Sequence, residues 1–239
     1  MDKIEITRSS KKEMHLVPKV SELPSIIEDL FDSMEEYPEN VDAEGGIRLL
    51  LTFVPTIGGA LDRILFGNKD KKEIEKIKFL LFHLGLAFKK VDDSKLDKEY
   101  LESDEYYALF KRILEKIKFE HRQEKIIGYR NFLVNCSILD SRIGIDTNYL
   151  LSKLDSVDKE HLEILNFYYD NKFDSVNTVG SDYDNIKKQL KNISKFFHVY
   201  ETDLVNAGFL IQTTSPGGPY FRYYLSDLGK EFLRFIKYD

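Results

Sequence analysis

From Asp70 to Val91 the chain sets Ile74, Ile77, Leu81, Leu84, Phe88 and Val91 at alternating spacings of three and four. Only an α-helix gathers residues so spaced into one stripe, and the run predicts a helix of about 22 residues, roughly 33 Å at 1.5 Å per residue. Phe79, Leu80, Phe82 and Leu86 widen the stripe, so protein is expected nearly all round the helix middle. Lys69, Lys71, Lys72, Lys89 and Lys90 mark its ends. A helix this apolar has to be packed among others, which predicts a bundle.

The neighbouring sequence supplies the partners. Asp104 to Phe119 carries Tyr106, Leu109, Phe110, Ile113, Leu114 and Ile117 on one face, and Arg122 to Leu139 aligns Ile126, Tyr129, Leu133 and Cys136. No Pro or Gly separates Phe119 from Arg122, so these two helices are also compatible with one long helix. Beyond Asp146 the character changes. Short helices are predicted at Thr147–Leu154, over KEHLEILNFYYD after Asp158, at Ile186–Leu190, and over KFFHVYETDLVNAGF up to a C′ glycine at Gly208. FLIQTTSPGGPYFRYYL then reads as two strands around a Pro-Gly turn, and Ser226 caps a last helix, DLGKEFLRFIKY. Helices, a hairpin and a closing helix in that order form the pattern of a winged helix. The expected fold is mainly α: an acidic arm with a short helix (Ser25–Glu36) over 1–45, a helical bundle over 46–154, and a winged-helix domain with a small β-hairpin wing over 155–239.

Composition bounds the function. The apolar share is 42% against 32% charged, an ordinary soluble balance, and the single Cys136 rules out an internal disulfide or a Cys-rich zinc site. The start, MDKIEITRSSKKE, has no signal-peptide pattern, so a cytoplasmic location is expected. Residues 1–45 hold five Lys/Arg and twelve Asp/Glu, whereas the whole chain carries −6. An acidic head on a nearly neutral body opposes nonspecific nucleic-acid binding.

Leu50–Gly67, LLTFVPTIGGALDRILFG, admits three readings. A phosphate loop needs Lys and Ser or Thr after the glycines, and Ala60-Leu61 stands there instead. A spanning helix needs about 20 apolar residues, while the uncharged run from Leu49 to Leu61 is broken by Pro55, Gly58 and Gly59. A membrane-inserting hairpin exposed on activation would use Phe53, Ile57 and Leu61. The favoured reading is a helix junction, with Pro55 at a helix N1 position and Gly58-Gly59 allowing close packing.

GGALDRILFG before a long helix, EHRQEKIIGYRNFLVNCSILD, LLSKLDSVDKEHLEILNFYYD, and LVNAGFLI with YLSDLGKEFLRFI together resemble the bacterial abortive-infection alpha group of helical proteins ending in a winged helix. YRNFLVN stands where that group carries a Trp-containing run. The resemblance implies a role in phage defence and supplies no catalytic residues.

The residues themselves assemble no catalytic, cofactor-binding or metal constellation. His15, His83, His121, His161 and His198 share no ligand spacing, and His83 reads as a core residue of its apolar helix. His121, Arg122, Glu124 and Lys125 read as a solvated charge network at a helix start. Arg8 and His15 have the spacing of HEPN-type RNases but sit in a polar arm rather than on a bundle helix. Three non-enzymatic readings remain. A protein partner would meet Phe196, Phe197, Tyr200, Tyr220 and Tyr223. Duplex DNA would meet Lys187, Lys191, Lys195 and Arg222, with Glu201 and Asp203 opposing it. A membrane would meet the 49–66 segment. The protein partner is the favoured reading, and self-association is left open.

Overall fold

The computed structural model describes residues 70–173, 190, 195–214 and 221–237, without the side chains of Phe221 and Arg222. The arm, the 49–66 segment with Phe53, Ile57 and Leu61, and Arg8 and His15 lie outside these residues, as does the Ile186–Leu190 helix except for Leu190. The described chain is mainly helical, with a two-stranded antiparallel pair near its C-terminal end.

Helix α1 (Lys71–Lys90) starts where the Asp70 carboxylate accepts Lys72 N–H at 2.9 Å and ends on Lys89 and Lys90, charges that suit the two ends of the helix dipole. Its stripe is buried at Ile77, Leu81, Leu84 and Phe88, while Ile74 and Val91 are partly covered at the two ends. His83 corrects the sequence reading: it is half-buried between the Phe79 and Phe82 rings (4.3 and 5.3 Å), not sealed in the core.

A 3-10 turn (Asp93–Lys95) and the short helix α2 (Lys98–Leu101) follow, begun by the carboxylates of Asp92 and Asp97. Helix α3 (Asp104–Phe119) is capped by Ser103 and buries the six residues of its expected face. Helix α4 (Gln123–Cys136) is separate from it. Glu120 adopts an extended ψ of 134°, and its Oε1 accepts the N–H groups of His121 (2.9 Å) and Arg122 (3.0 Å). A carboxylate supplies the break that neither Pro nor Gly provides, and the single long helix is excluded.

Helix α5 (Thr147–Ser156) is capped by Asp146. Helix α6 (Lys159–Asp170) opens with a capping box in which His161 takes the place usually held by Glu or Gln. Helix α7 (Phe197–Asn206) ends as expected at Gly208: φ is +83°, Gly208 N–H reaches Val205 O (2.9 Å) and Phe209 N–H reaches Leu204 O (2.9 Å). This is a Schellman stop, which needs the left-handed conformation that glycine adopts without strain.

Strand β1 (Leu210–Thr214) pairs antiparallel with β2 (Phe221–Leu225), from Leu210 opposite Leu225 to Thr214 opposite Phe221. Ser226 then ties the strands to helix α8 (Asp227–Ile236): its hydroxyl donates to Gly208 O (2.6 Å) and accepts Gly229 N–H (2.9 Å). A side chain at Gly229 would press on the Phe209 carbonyl oxygen and come within 2.8 Å of Leu225 Cδ1, so α8 can lie this close only with glycine there.

Helix α8 docks back on α4. Phe235 meets Phe132 with ring centroids 5.5 Å apart, while Asn131 and Asn135 amides donate to the carbonyls of Ile236 (2.5 Å) and Phe235 (2.9 Å). Those carbonyls belong to the last turn, where no helical N–H remains to satisfy them. The buried residues form one cluster from Ile77 to Ile236.

Candidate partner-binding face

Helix α7 sorts its residues by angle. Phe197, Glu201 and Leu204 are fully buried, so this side faces the core. Phe196 (55% exposed) and Val199 (54%) stand one helical turn apart on the outer side. Tyr200 is half-buried beside them, its ring set edge-on to His161 at 5.0 Å. Burial and the negative charges of Glu160, Asp158 and Asp203 raise the Tyr200 hydroxyl above its ordinary pKa. A second exposed stripe, Lys195, His198, Thr202 and Asn206, runs along α7 next to the first.

Two members of the expected aromatic surface are corrected. Phe197 is in the core at 0% exposure, and Tyr223 is buried at 6%, so neither offers its ring to a partner. Phe196 is the N-cap of α7 (φ −112°, ψ 11°) and Phe197 its first helical residue, and the two side chains part between solvent and core. Tyr220, Lys187 and Lys191 lie outside the described residues, as does the Arg222 side chain, while Lys195 is exposed. Glu201 is also corrected: expected to face DNA, it is fully buried and accepts the Tyr168 hydroxyl at 2.6 Å. Asp203 is then the exposed carboxylate of α7.

The polar cluster at the start of α4 is larger and less solvated than the sequence suggests. The Glu120 carboxylate, buried at the elbow between α3 and α4, is held by Arg122 through Nε and Nη2 (both 2.9 Å). Burial opposes its ionisation, but the hydrogen bonds and charge of Arg122 win and bring its pKa down to about 2. Arg122 reaches on to Asp158, which starts α6. Beside it, Lys125 is buried and donates to Asp155 O (2.7 Å), while the Asp155 carboxylate receives Tyr129 OH (2.8 Å) and Lys116 Nζ (2.5 Å). Desolvation, followed by repulsion from Arg122, lowers the Lys125 pKa. These groups are spent on one another and clamp the α3–α4 elbow to the α5–α6 junction. The missed signal was Asp155 and Asp158, 26 to 36 residues further along the chain than Arg122, Lys125 and Tyr129, which they bind.

Among the described residues no three His, Cys, Asp or Glu side chains are grouped as metal ligands, and no helix is long and apolar enough to cross a membrane. Compared with known proteins, the chain matches no family model, no curated protein and no solved structure.

Proposed function

We propose that this chain is a cytoplasmic bacterial phage-defence component that works by binding a protein partner. The site is the outer face of α7, and the observation that carries it is the exposure of Phe196, its N-cap, and Val199 in its first turn. Burying such a pair on association removes apolar surface from water without first unfolding anything. The phage-defence role follows from the resemblance of the sequence to the abortive-infection alpha group. The proposed fold of the C-terminal part is a winged helix, supported by α5, α6, α7, the strand pair and α8 in that order. The test is affinity capture of the tagged chain from infected and uninfected cells, beside phage plating. The unaltered chain is expected to retain a partner and reduce plating, and F196A/V199A to lose both. Equal plating and equal capture with F196A/V199A would refute the proposal.

The burial of Glu201 favours a second reading. With that acid withdrawn, Lys195, His198, Thr202 and Asn206 form a polar stripe of the kind that reads duplex DNA. A DNA reader would shift a labelled duplex at low salt, with affinity reduced by K195A, K187A, K191A or R222A. Absence of a shift at low salt eliminates it.

A further inference from the structure

We infer that the α6–α7 face takes a cationic, amphipathic protein segment whose apolar residues cover Phe196 and Val199 and whose Lys or Arg side chains reach Glu160 and Asp203. This inference rests on the partner-binding reading and names the chemistry of that partner. Val199 and Asp203 are four residues apart on α7, and Tyr200 and Asp203 three, so the carboxylate borders the apolar pair.

The charges around the patch cancel unequally. Asp158 is answered by Arg122, and Lys159 by Glu124 at 3.5 Å. His161 Nδ1 accepts Asp158 N–H at 3.0 Å, which puts the proton of the neutral ring on Nε2. That nitrogen lies 3.6 Å from Asp203 Oδ2, and the Asp203 side chain stays 55% exposed. Glu160 and Asp203 are thus left without a Lys or Arg ion-pair partner among the described residues. On the other flank Lys195 lies over the Phe196 ring at 5.6 Å. An apolar pair bordered by the exposed Asp203 carboxylate, with Glu160 next to the His161 ring that packs on Tyr200, repels phosphate and acidic segments. It attracts a segment that pairs apolar residues with positive charge one turn away.

The experiment uses the full chain and two fluorescein-labelled probes, a short amphipathic Leu/Lys peptide and its Leu/Glu counterpart, read by anisotropy. Because residues 1–45 are themselves acidic, the reading is taken from variants: E160Q/D203N at the face, F196A/V199A in the apolar pair, and E35Q/E36Q in the arm as a control. The Leu/Lys peptide is expected to bind. E160Q/D203N should weaken it about fivefold and F196A/V199A about tenfold, while E35Q/E36Q leaves it unchanged. Circular dichroism of each variant confirms that the fold is kept. The inference is overturned if the Leu/Glu peptide binds as well, if the arm control causes the same loss, or if no Leu/Lys binding is seen at about 100 μM. Loss with F196A/V199A but not with E160Q/D203N also overturns it, yet leaves the partner-binding reading standing.

Discussion

At the scale of single residues, Glu120 and Gly229 carry the most specific constraints. Glu120 is a buried anion satisfied by Arg122 and two backbone amides, so E120Q removes the charge that its neighbours are arranged around. It is expected to cost about 2 kcal/mol at neutral pH by chemical denaturation. The pH dependence follows from a folded-state pKa of about 2 against the ordinary 4.5. The stabilisation is complete above the ordinary value and is lost as pH falls through the folded one, so the unaltered protein should lose stability between about pH 5 and 2. E120Q should lose less over that window. An unchanged acid limb would show that other carboxylates dominate. G229A should cost about 2 kcal/mol, because a methyl group there meets backbone and a packed Leu225 rather than a flexible chain end. Neither residue was legible from the sequence. Glu120 looks like one more charge on a helix until its oxygens are seen to cap the next one, and Gly229 looks like a helix-weakening residue until Phe209 is placed against it.

At the scale of elements, legibility followed the length of the apolar repeat. Helix α3 and helix α6 have the bounds that periodicity and capping residues gave them, because several turns of apolar spacing and a Ser or Asp start leave little freedom. The stop of α7 was equally readable, since a glycine at positive φ is what a Schellman ending requires. G208A is therefore expected to destabilise by about 1 kcal/mol, seen as a lowered denaturation midpoint with an unchanged slope. Helix α2 escaped notice because one turn carries no periodicity; its signal was the pair of aspartates, Asp92 and Asp97, that begin the two short turns. Which aromatics face outward was illegible for a different reason. Phe196, Phe197 and Tyr200 are equivalent as apolar residues, and only the packing of α7 on α6 and β1 decides that Phe197 is core while Phe196 is not.

At the scale of the whole molecule, α8 closes the described chain by returning to α4, where Asn131 and Asn135 cap its last carbonyls. N131A/N135A should leave those carbonyls without protein donors and lower stability by about 2 kcal/mol. The exposed Phe196 and Val199 on the outer face of α7 take no part in this docking. Binding through that face is the centre of the functional proposal, and photo-crosslinking from it is the most direct measurement. A benzophenone amino acid at Val199 is compared with the same group at Ser152, an exposed position on α5. Irradiation of infected cells should give a discrete protein adduct from position 199 and none from 152. No adduct from 199, or the same adducts from both positions, would contradict a partner-binding face on α7.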